Sequence, residues 1–237
     1  MSKPYVVCHM LTSLNGKIDG AYMGDPACAA AGKAYGGLRK VFDCQATLYG
    51  TTTMEGSYSN GRAGAPPACG TDWGREDYIA PSEVHNFIVS LDPQGVLGFS
   101  SCYIEKKNRP KAHVIEVLTE QVSNDYLGYL RNLGISYVFA GETVIDCKLL
   151  LQKLSDLFHI QRLMVAGGGI TNWSFVQENL LDELSVLVAP VADGSTGTAT
   201  IFEKADFFPP RSPAAFSLKK VEVLEKDTLW LRYTAIK

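Results

Sequence analysis

The sequence has little net charge, no long apolar run and no paired-cysteine motif. Its 237 residues carry a formal charge of -3, so no basic excess favours nucleic acid or an anionic membrane as partner. No apolar run approaches the roughly 20 residues that a membrane-spanning helix needs. The six cysteines contain no C-x-x-C pair, and their spacing matches no zinc site. We therefore expect no nucleic acid, no membrane and no metal.

The remaining composition is that of a globular protein. Hydrophobic residues make up 46% of the chain and charged residues 20%, both ordinary fractions. No repeat, linker or change of composition divides the chain, so one domain over residues 1–237 is expected. The first residues lack a signal-peptide pattern, and the four histidines are scattered. We expect a cytoplasmic protein with reduced cysteines.

A glycine-rich turn is the most informative stretch. The apolar run Leu163–Ala166 indicates a buried strand, and Gly167, Gly168 and Gly169 follow it. A helical pattern comes next, with Thr171, Asn172 or Ser174 as its expected N-cap. Free N–H groups at such a helix start favour a phosphate. Glycine runs at these turns also occur for packing alone, so this motif by itself leaves ligand binding open.

Two more loops follow predicted strands. Pro4–Leu11 indicates a central strand and runs into the polar loop Thr12–Asp19. Ala46–Tyr49 indicates a second strand, followed by the small-residue turn Gly50–Met54. Ligands of open α/β sheets bind at the carboxyl ends of strands, where these loops lie. Taken alone, the second turn is more typical of a plain helix start capped by a hydroxyl residue.

The order of elements predicts a mixed sheet. Strands and helices alternate over residues 111–180, which favours parallel strands. Ser123 and Asp146 are the expected N-caps of two of these helices, and residues 27–42 are expected to form an earlier helix. Lys219–Leu224 and Leu229–Ile236 alternate in polarity around a polar turn and predict an antiparallel hairpin. The long stretch Gly56–Ser82 has no regular pattern. Loops of this length are uncommon in compact domains, and we interpret it as a partly ordered cover or a subunit contact.

Five segments, in order along nearly the whole chain, form a recognisable set. Their sequences are Thr-Ser-Leu-Asn-Gly-Lys-Ile-Asp (12–19), Leu-Tyr-Gly-Thr-Thr-Thr (48–53), Val-Ser-Leu-Asp-Pro-Gln-Gly (89–95), Arg-Leu-Met-Val-Ala-Gly-Gly-Gly (162–169), and Leu-Asp-Glu-Leu (181–184) with Val-Ala-Pro-Val (188–191). Together they resemble the reductase domain of bacterial riboflavin biosynthesis. The resemblance implies a three-layer α/β/α dihydrofolate reductase-like fold, with a mixed, mostly parallel sheet and an antiparallel C-terminal hairpin. A homodimer is also implied.

The resemblance implies NADPH-dependent reduction of a small molecule, related to the 5-amino-6-(5-phosphoribosylamino)uracil reductase of riboflavin biosynthesis. The substrate would be pyrimidine- or pteridine-like, with a C=N or C=O group to reduce. The nicotinamide would lie beside the first loop, the pyrophosphate across the glycine turn, the other phosphate side at the second turn, and the adenosine half at the third segment. The implied contacts are Ser13, Leu14, Gly16, Ile18, Gly50, Thr51, Thr52, Thr53, Ser90, Asp92, Ala166, Gly167, Gly168, Gly169, Ile170 and Thr171.

Two positions depart from that family. Asn15 and Ala166 stand where the family often carries Asp and Glu, which are thought to bind substrate or assist proton transfer. Reducing C=N needs a proton as well as a hydride. We expect the catalytic group to involve Asn15 and Asp19, the latter being the nearest carboxylate in the loop. Water and the more remote Glu55 and Asp72 remain alternatives.

The family's second substrate segment, Thr-Val-Arg-x-Asp-x-Pro, is also missing, since Thr53–Tyr58 stands there. These departures keep a second hypothesis open, a non-catalytic nucleotide-binding paralogue or sensor. A Rossmann dehydrogenase fits less well, because its G-x-G-x-x-G spacing after the first strand is missing. Preference for NADPH over NADH would need a basic group for the 2′-phosphate. Lys106, Lys107 and Arg109 are candidates, or simply a solvated face.

Overall fold

The computed structural model describes residues 3–237, which form two compact units. Unit 1 contains residues 3–4 and 45–161, and unit 2 contains residues 5–44 and 162–237. The single domain expected for residues 1–237 stays a prediction. In chain order, the helices and strands are β1 (Tyr5–Thr12), α1 (Ala29–Leu38), β2 (Ala46–Gly50), α2 (Thr51–Ser57), β3 (Phe87–Leu91), β4 (Tyr103–Ile104), β5 (Ala112–Leu118), α3 (Asn124–Leu133), β6 (Ser136–Phe139), α4 (Cys147–Phe158), β7 (Arg162–Val165), α5 (Gly169–Gln177), β8 (Glu183–Val188), β9 (Phe216–Val223) and β10 (Leu229–Ala235).

Unit 1 is built on a mostly parallel sheet. β3 lies between β2 and β5, and all three strands are parallel. β6 continues parallel to β5, and the short β4 pairs antiparallel with the start of β5. Every residue of β3, β5 and β6 is buried, as expected for parallel strands covered on both faces. β4 was missed from the sequence, because two residues show no periodicity.

Unit 2 has a mixed sheet in the order β7, β1, β8, β10, β9. β1 is parallel to both of its neighbours. β10 runs antiparallel to β8 and to β9. Together, the two units confirm the prediction of a mixed, mostly parallel α/β fold with an antiparallel C-terminal hairpin.

Two helix starts were predicted correctly. Ser123 caps α3 by accepting a hydrogen bond from the Tyr126 amide, and Asp146 caps α4 by accepting one from the Leu149 amide. Gly134 ends α3 in the left-handed conformation at φ 68°, which glycine adopts without steric cost. The predicted helix over residues 27–42 is interrupted, because only Ala29–Leu38 is α-helical and a 3₁₀ turn flanks it on each side.

The long irregular stretch packs within unit 1. Arg62 forms an antiparallel bridge with Leu97, and Tyr78 forms one with Tyr137 of β6. The Arg131 guanidinium lies 4.4 Å from the centre of the Trp73 ring and 4.2 Å from that of Tyr78. The aromatic side chains of this stretch therefore pack in unit 1, and its role as a cover or a subunit contact stays a prediction.

The described part of the chain offers neither a membrane-spanning helix nor a metal cluster. Within residues 3–237, no helix combines the length and apolar character needed to cross a bilayer. Over the same residues, no three His, Cys, Asp or Glu side chains are grouped so that they could hold a metal ion.

Candidate active site

The first loop of unit 2 is held against the chain that follows β8. The Leu14 amide donates to the Val191 carbonyl at 2.8 Å, and the Ile18 amide donates to the Ala199 carbonyl at 3.0 Å. In the other direction, the Ile201 amide donates to the Gly16 carbonyl at 3.1 Å. The loop after β1 and residues 191–201 therefore form one hydrogen-bonded platform at the carboxyl ends of two parallel strands.

The predicted nicotinamide contacts on this loop differ in exposure. Ser13 is buried, whereas the Leu14 side chain is 62% exposed. Gly16 and Ile18 are half-buried, and Gly16 has φ 78° with no atom within 4 Å of an added Cβ. An exposed leucine at the tip of a pinned loop offers an apolar surface to a flat ring.

The two predicted catalytic residues have different surroundings. Both polar atoms of the Asn15 carboxamide are engaged, the nitrogen with the Asp193 carbonyl at 2.6 Å and the oxygen with the Ser13 hydroxyl at 2.8 Å. Asn15 therefore braces the loop and cannot supply a proton. Asp19 is exposed, and one of its oxygens accepts a hydrogen bond from the Gly20 amide at 2.8 Å.

The glycine turn leads directly into α5. Gly168 is the N-cap, so the helix begins at Gly169 and the prediction of Thr171, Asn172 or Ser174 as N-cap is wrong. Instead, the Asn172 side chain is buried and bridges two backbones, accepting from the Gly167 amide at 3.2 Å and donating to the Ile201 carbonyl at 2.8 Å. Gly167 has φ 102°, and the Gly167–Gly168 peptide is cis.

The first turn of α5 has the properties of an anion site. No side chain caps it, unlike α3 and α4, so the helix dipole and the first amides are left for another partner. Gly168 is half-buried, with nothing within 4 Å of an added Cβ, and Ile170 is 45% exposed. The other predicted contacts are buried, namely Ala166, Gly167, Gly169 and Thr171.

A carboxylate beside this turn was missed from the sequence. The Glu203 amide donates to the Gly169 carbonyl at 3.2 Å, and a Cβ on Gly169 would meet the Glu203 Cγ at 3.0 Å. One Glu203 oxygen accepts from the Thr200 amide at 2.7 Å. The Thr-x-x-Glu spacing of 200–203 is that of a capping box, of which only the hydrogen bond from the Thr200 amide to the Glu203 carboxylate forms here, and this spacing could have indicated the contact.

The second predicted phosphate turn belongs to unit 1. Gly50 is the N-cap of α2, which has no side-chain cap. The Thr51 hydroxyl donates to the Leu91 carbonyl at 2.6 Å, joining the carboxyl ends of β2 and β3. Thr52 is exposed, and Thr53 is half-buried. Of the three threonines, Thr51 therefore has a structural partner, whereas Thr52 presents its side chain outward.

Ser90 and Asp92 are enclosed within unit 1 and do not present their side chains to a ligand. Both are at most 1% exposed. One Asp92 oxygen accepts from the amides of Val96 and Leu97, at 2.7 and 2.9 Å. Burial raises the pKa of Asp92, although these hydrogen bonds act in the opposite direction. These contacts give Asp92 a role in folding the turn after β3.

The charged residues considered for the 2′-phosphate and the proton make local contacts in unit 1. Arg109 donates to the hydroxyls of Tyr49 and Tyr58 at 2.6 and 2.7 Å. Lys106 lies 5.4 Å from the centre of the Tyr58 ring, and Lys107 is exposed. Of the remote acids, Glu55 pairs with Arg62 at 3.1 Å and Asp72 accepts from the Gly74 amide.

A family model described as the RibD C-terminal domain matches residues 4–230. The chain belongs to this family. The RibD-type resemblance predicted from the five segments is thereby confirmed over nearly the whole length.

Two curated relatives carry the same name, 2,5-diamino-6-ribosylamino-4(3H)-pyrimidinone 5′-phosphate reductase. The protein from Methanothermobacter thermautotrophicus is 25% identical over 242 residues, covering 98% of each chain. The protein from Aquifex aeolicus is 31% identical over 94 residues, which are 40% of this chain and 42% of the relative.

Solved structures show the same fold at low identity. Acinetobacter baumannii RibD matches with a TM-score of 0.64 at 22% identity, over 99% of this RibD-family chain. This chain spans only 58% of that protein. A pyrimidine reductase-like protein from Corynebacterium diphtheriae matches with a TM-score of 0.68 at 15% identity, over 99% of this chain and 92% of the other. These likenesses confirm the fold class.

Proposed function

We propose that this protein is an NADPH-dependent reductase of a pyrimidine intermediate in riboflavin biosynthesis. Membership of the RibD C-terminal domain family supports the proposal. So do the names of the relatives from Methanothermobacter and Aquifex, both reductases of a diamino-ribosylamino-pyrimidinone phosphate. The observation that carries it is the start of α5 behind Gly167–Gly169, which no side chain caps.

Unit 2 would bind two parts of the cofactor. The amides of Gly168, Gly169 and Ile170 would receive the pyrophosphate, because a helix start attracts negative charge. The exposed Leu14 on its pinned loop would lie against the nicotinamide ring. When bound, the cofactor supplies the hydride, while the protein orients it and excludes water. In unit 1, the amides at Gly50–Thr53 would receive phosphate.

Hydride addition to the carbon of a C=N bond leaves the nitrogen in need of a proton. Asp19 is the residue proposed to relay that proton from solvent water in unit 2, because its carboxyl group is exposed at the end of the same loop. Asn15 has no titratable proton, and Ala166 is buried and apolar. These two positions therefore take no part in the proposed proton transfer.

The test places a charge at the proposed pyrophosphate site. Ile170→Glu adds a carboxylate to the first turn of α5, where the helix dipole favours it and folding is preserved. The same carboxylate repels a bound phosphate, so we expect the Kd for NADPH, measured by calorimetry, to rise by about tenfold or more. Ile170→Gln is the control of equal shape, and its Kd should stay close to that of the wild type.

Turnover is measured as loss of NADPH absorbance with the diamino-ribosylamino-pyrimidinone phosphate as substrate, and NADH is compared in parallel. The proposal requires wild-type turnover that both depends on substrate and falls in Ile170→Glu. Binding of NADPH without turnover of pyrimidine or pteridine substrates would identify the non-catalytic alternative. If the wild type does not bind NADPH at millimolar concentration, the proposed function is wrong.

We also propose a homodimer, formed through the C-terminal hairpin of unit 2. Leu218, Val221 and Val223 of β9 are each more than half exposed. They lie opposite Tyr233, Leu231 and Leu229 of β10 in the strand register, so the six side chains share one face. An apolar sheet face at an edge strand is typical of a protein contact, and a second copy offers the same surface across a two-fold axis.

A further inference from the structure

Asn15 forms a two-way bridge between the first loop and the loop after β8. Its amide nitrogen donates to the Asp193 carbonyl at 2.6 Å. Its oxygen accepts from the Asp193 amide at 3.2 Å and from the Ser13 hydroxyl at 2.8 Å. The side chain therefore pairs with the backbone of Asp193 in the way that a neighbouring strand would.

This bridge needs an amide rather than an acid. A carboxylate at position 15 would accept the hydrogen bonds from Ser13 and from the Asp193 amide, but it has no hydrogen for the Asp193 carbonyl. Two acceptor oxygens would then face each other at the 2.6 Å where Asn15 now donates. An unmade, repulsive contact costs more than the bond it replaces was worth.

The bridge secures the exposed tip of the platform. Lys17 holds the far side of the loop, with its ammonium donating to the Thr198 carbonyl at 2.8 Å. Asp193 in turn closes its own loop, because its carboxylate accepts from the Ser195 amide at 2.8 Å. The Lys17 bond fixes the end of the first loop, and the Ser195 bond fixes the loop after β8. Asn15 joins these two loops next to the exposed Leu14.

We propose that Asn15 is a positioning residue, whose amide holds the first loop in the conformation that receives the cofactor. The inference rests on the proposed reductase function. It gives a structural reason for the asparagine at position 15, where the family often carries Asp. Asn15 is not an acid that has been lost. Asn15→Asp, which restores the residue that the resembling family often carries, lowers activity instead of raising it.

The structural arm of the test follows amide hydrogen exchange, which does not depend on activity. In the wild type, the Leu14 amide is bonded to the Val191 carbonyl and the Gly16 amide to the Ser13 carbonyl. In Asn15→Asp, exchange at Leu14 and Gly16 is expected to be faster by about tenfold, the size of one lost hydrogen bond. Unchanged exchange at both amides would overturn the proposal.

Asn124→Asp is the matched control in unit 1. The Asn124 carboxamide makes the same kind of bridge, donating to the Thr71 carbonyl and accepting from the Trp73 amide at 3.0 Å. Asn124→Asp removes the same kind of amide donor, so this variant measures the general effect of breaking such a bridge. Exchange at Leu14 and Gly16 is expected to remain that of the wild type in this variant.

The kinetic arm compares kcat/KM and the KM for NADPH in the two variants. Asn15→Asp is expected to lower kcat/KM by about tenfold and to raise the KM for NADPH, while Asn124→Asp changes neither. Equal losses in both variants, or a gain in Asn15→Asp, would overturn the positioning role. If the wild type neither binds NADPH nor turns over substrate, the proposed function fails, and the exchange arm alone decides whether Asn15 holds the loop.

Discussion

Two carboxyl groups of unit 1, those of Glu116 and Asp92, are buried close together. Glu116 of β5 is fully buried, and it lies opposite Ser90 in the β3–β5 register, with Asp92 two residues further on. Burial and then the negative charge of Asp92 raise the pKa of Glu116 well above its ordinary value, and burial also raises that of Asp92. Within residues 3–237 no cation is paired with either group, so the protonated form of Glu116 is the one that the fold accommodates.

Glu116→Gln is therefore expected to stabilise the protein at neutral and alkaline pH. In the wild type, the folded state keeps a proton that the unfolded chain releases above its ordinary pKa of 4.5, so stability falls as pH rises beyond that value. Glutamine is neutral at every pH, so the substitution removes this loss and raises the free energy of unfolding by about 1–3 kcal/mol near neutral pH. Urea denaturation at about pH 5 and about pH 8 measures it.

The control for this prediction is Glu105→Gln, since the side chain of Glu105 is 73% exposed. It removes the same charge from unit 1 without changing a buried group. Equal pH slopes for wild type and Glu116→Gln would show that Glu116 is ionised in the folded protein, contrary to the prediction.

At the scale of elements, the cap of a helix was predictable where its signal is local. Ser123 and Asp146 lie within three residues of the amides that they accept from, so sequence reading found both. At α5, Thr171, Asn172 and Ser174 offered the same signal, but the helix begins before them, with Gly168 as its N-cap. The Asn172 side chain instead donates a hydrogen bond to the Ile201 carbonyl, 29 residues away, and no local sequence pattern predicts this contact.

Gly128 of α3 leads to a prediction about the long segment packed on that helix. A Cβ there would lie 2.7 Å from the Cys69 Cβ and 3.3 Å from the Trp73 indole nitrogen. Gly128→Ala should therefore displace the segment and lower stability by about 1–3 kcal/mol, despite the better helix propensity of alanine. Thermal melting measures the loss, and faster thiol labelling of the half-buried Cys69 locates it.

Gly36→Ala is the matched helix substitution, because nothing lies within 4 Å of an added Cβ in α1. Here the propensity gain stands alone, and stability should rise by up to about 1 kcal/mol. The two substitutions should therefore differ in sign. A gain in Gly128→Ala similar to that in Gly36→Ala would show that the segment does not press on α3.

At the scale of the whole molecule, the exposed apolar face of the hairpin raises the question of assembly. In unit 2, the other side of the same strands carries a buried carboxylate, Glu183, whose charge is paired. Burial alone would raise the pKa of Glu183, but hydrogen bonds from Lys219 and Arg232 leave it below its ordinary value. The exposed side carries Leu218, Val221 and Val223, and a second copy would cover them.

Val221→Lys is expected to convert a dimer into a monomer, because it places an ammonium in the middle of the proposed contact. Ser217→Lys is the control, since Ser217 is an exposed residue of the same strand and its register partner, Thr234, belongs to the other face. Light scattering coupled to size-exclusion chromatography gives the mass of each variant. A monomeric wild type, or a dimer that survives Val221→Lys, rules out this interface.

The family, two of the helix caps and the order of the helices and strands apart from the two-residue β4 follow from the sequence alone. These features depend on hydrophobic period and on contacts within a few residues, both of which can be read along the chain. The fold was needed to show that Asn15 meets Asp193, 178 residues away, that Glu203 lies against Gly169, and that Asp92 is enclosed. Burial and long-range hydrogen bonds depend on which strands become neighbours, and a polar residue looks the same in the sequence whether it will bind a ligand or hold two loops together.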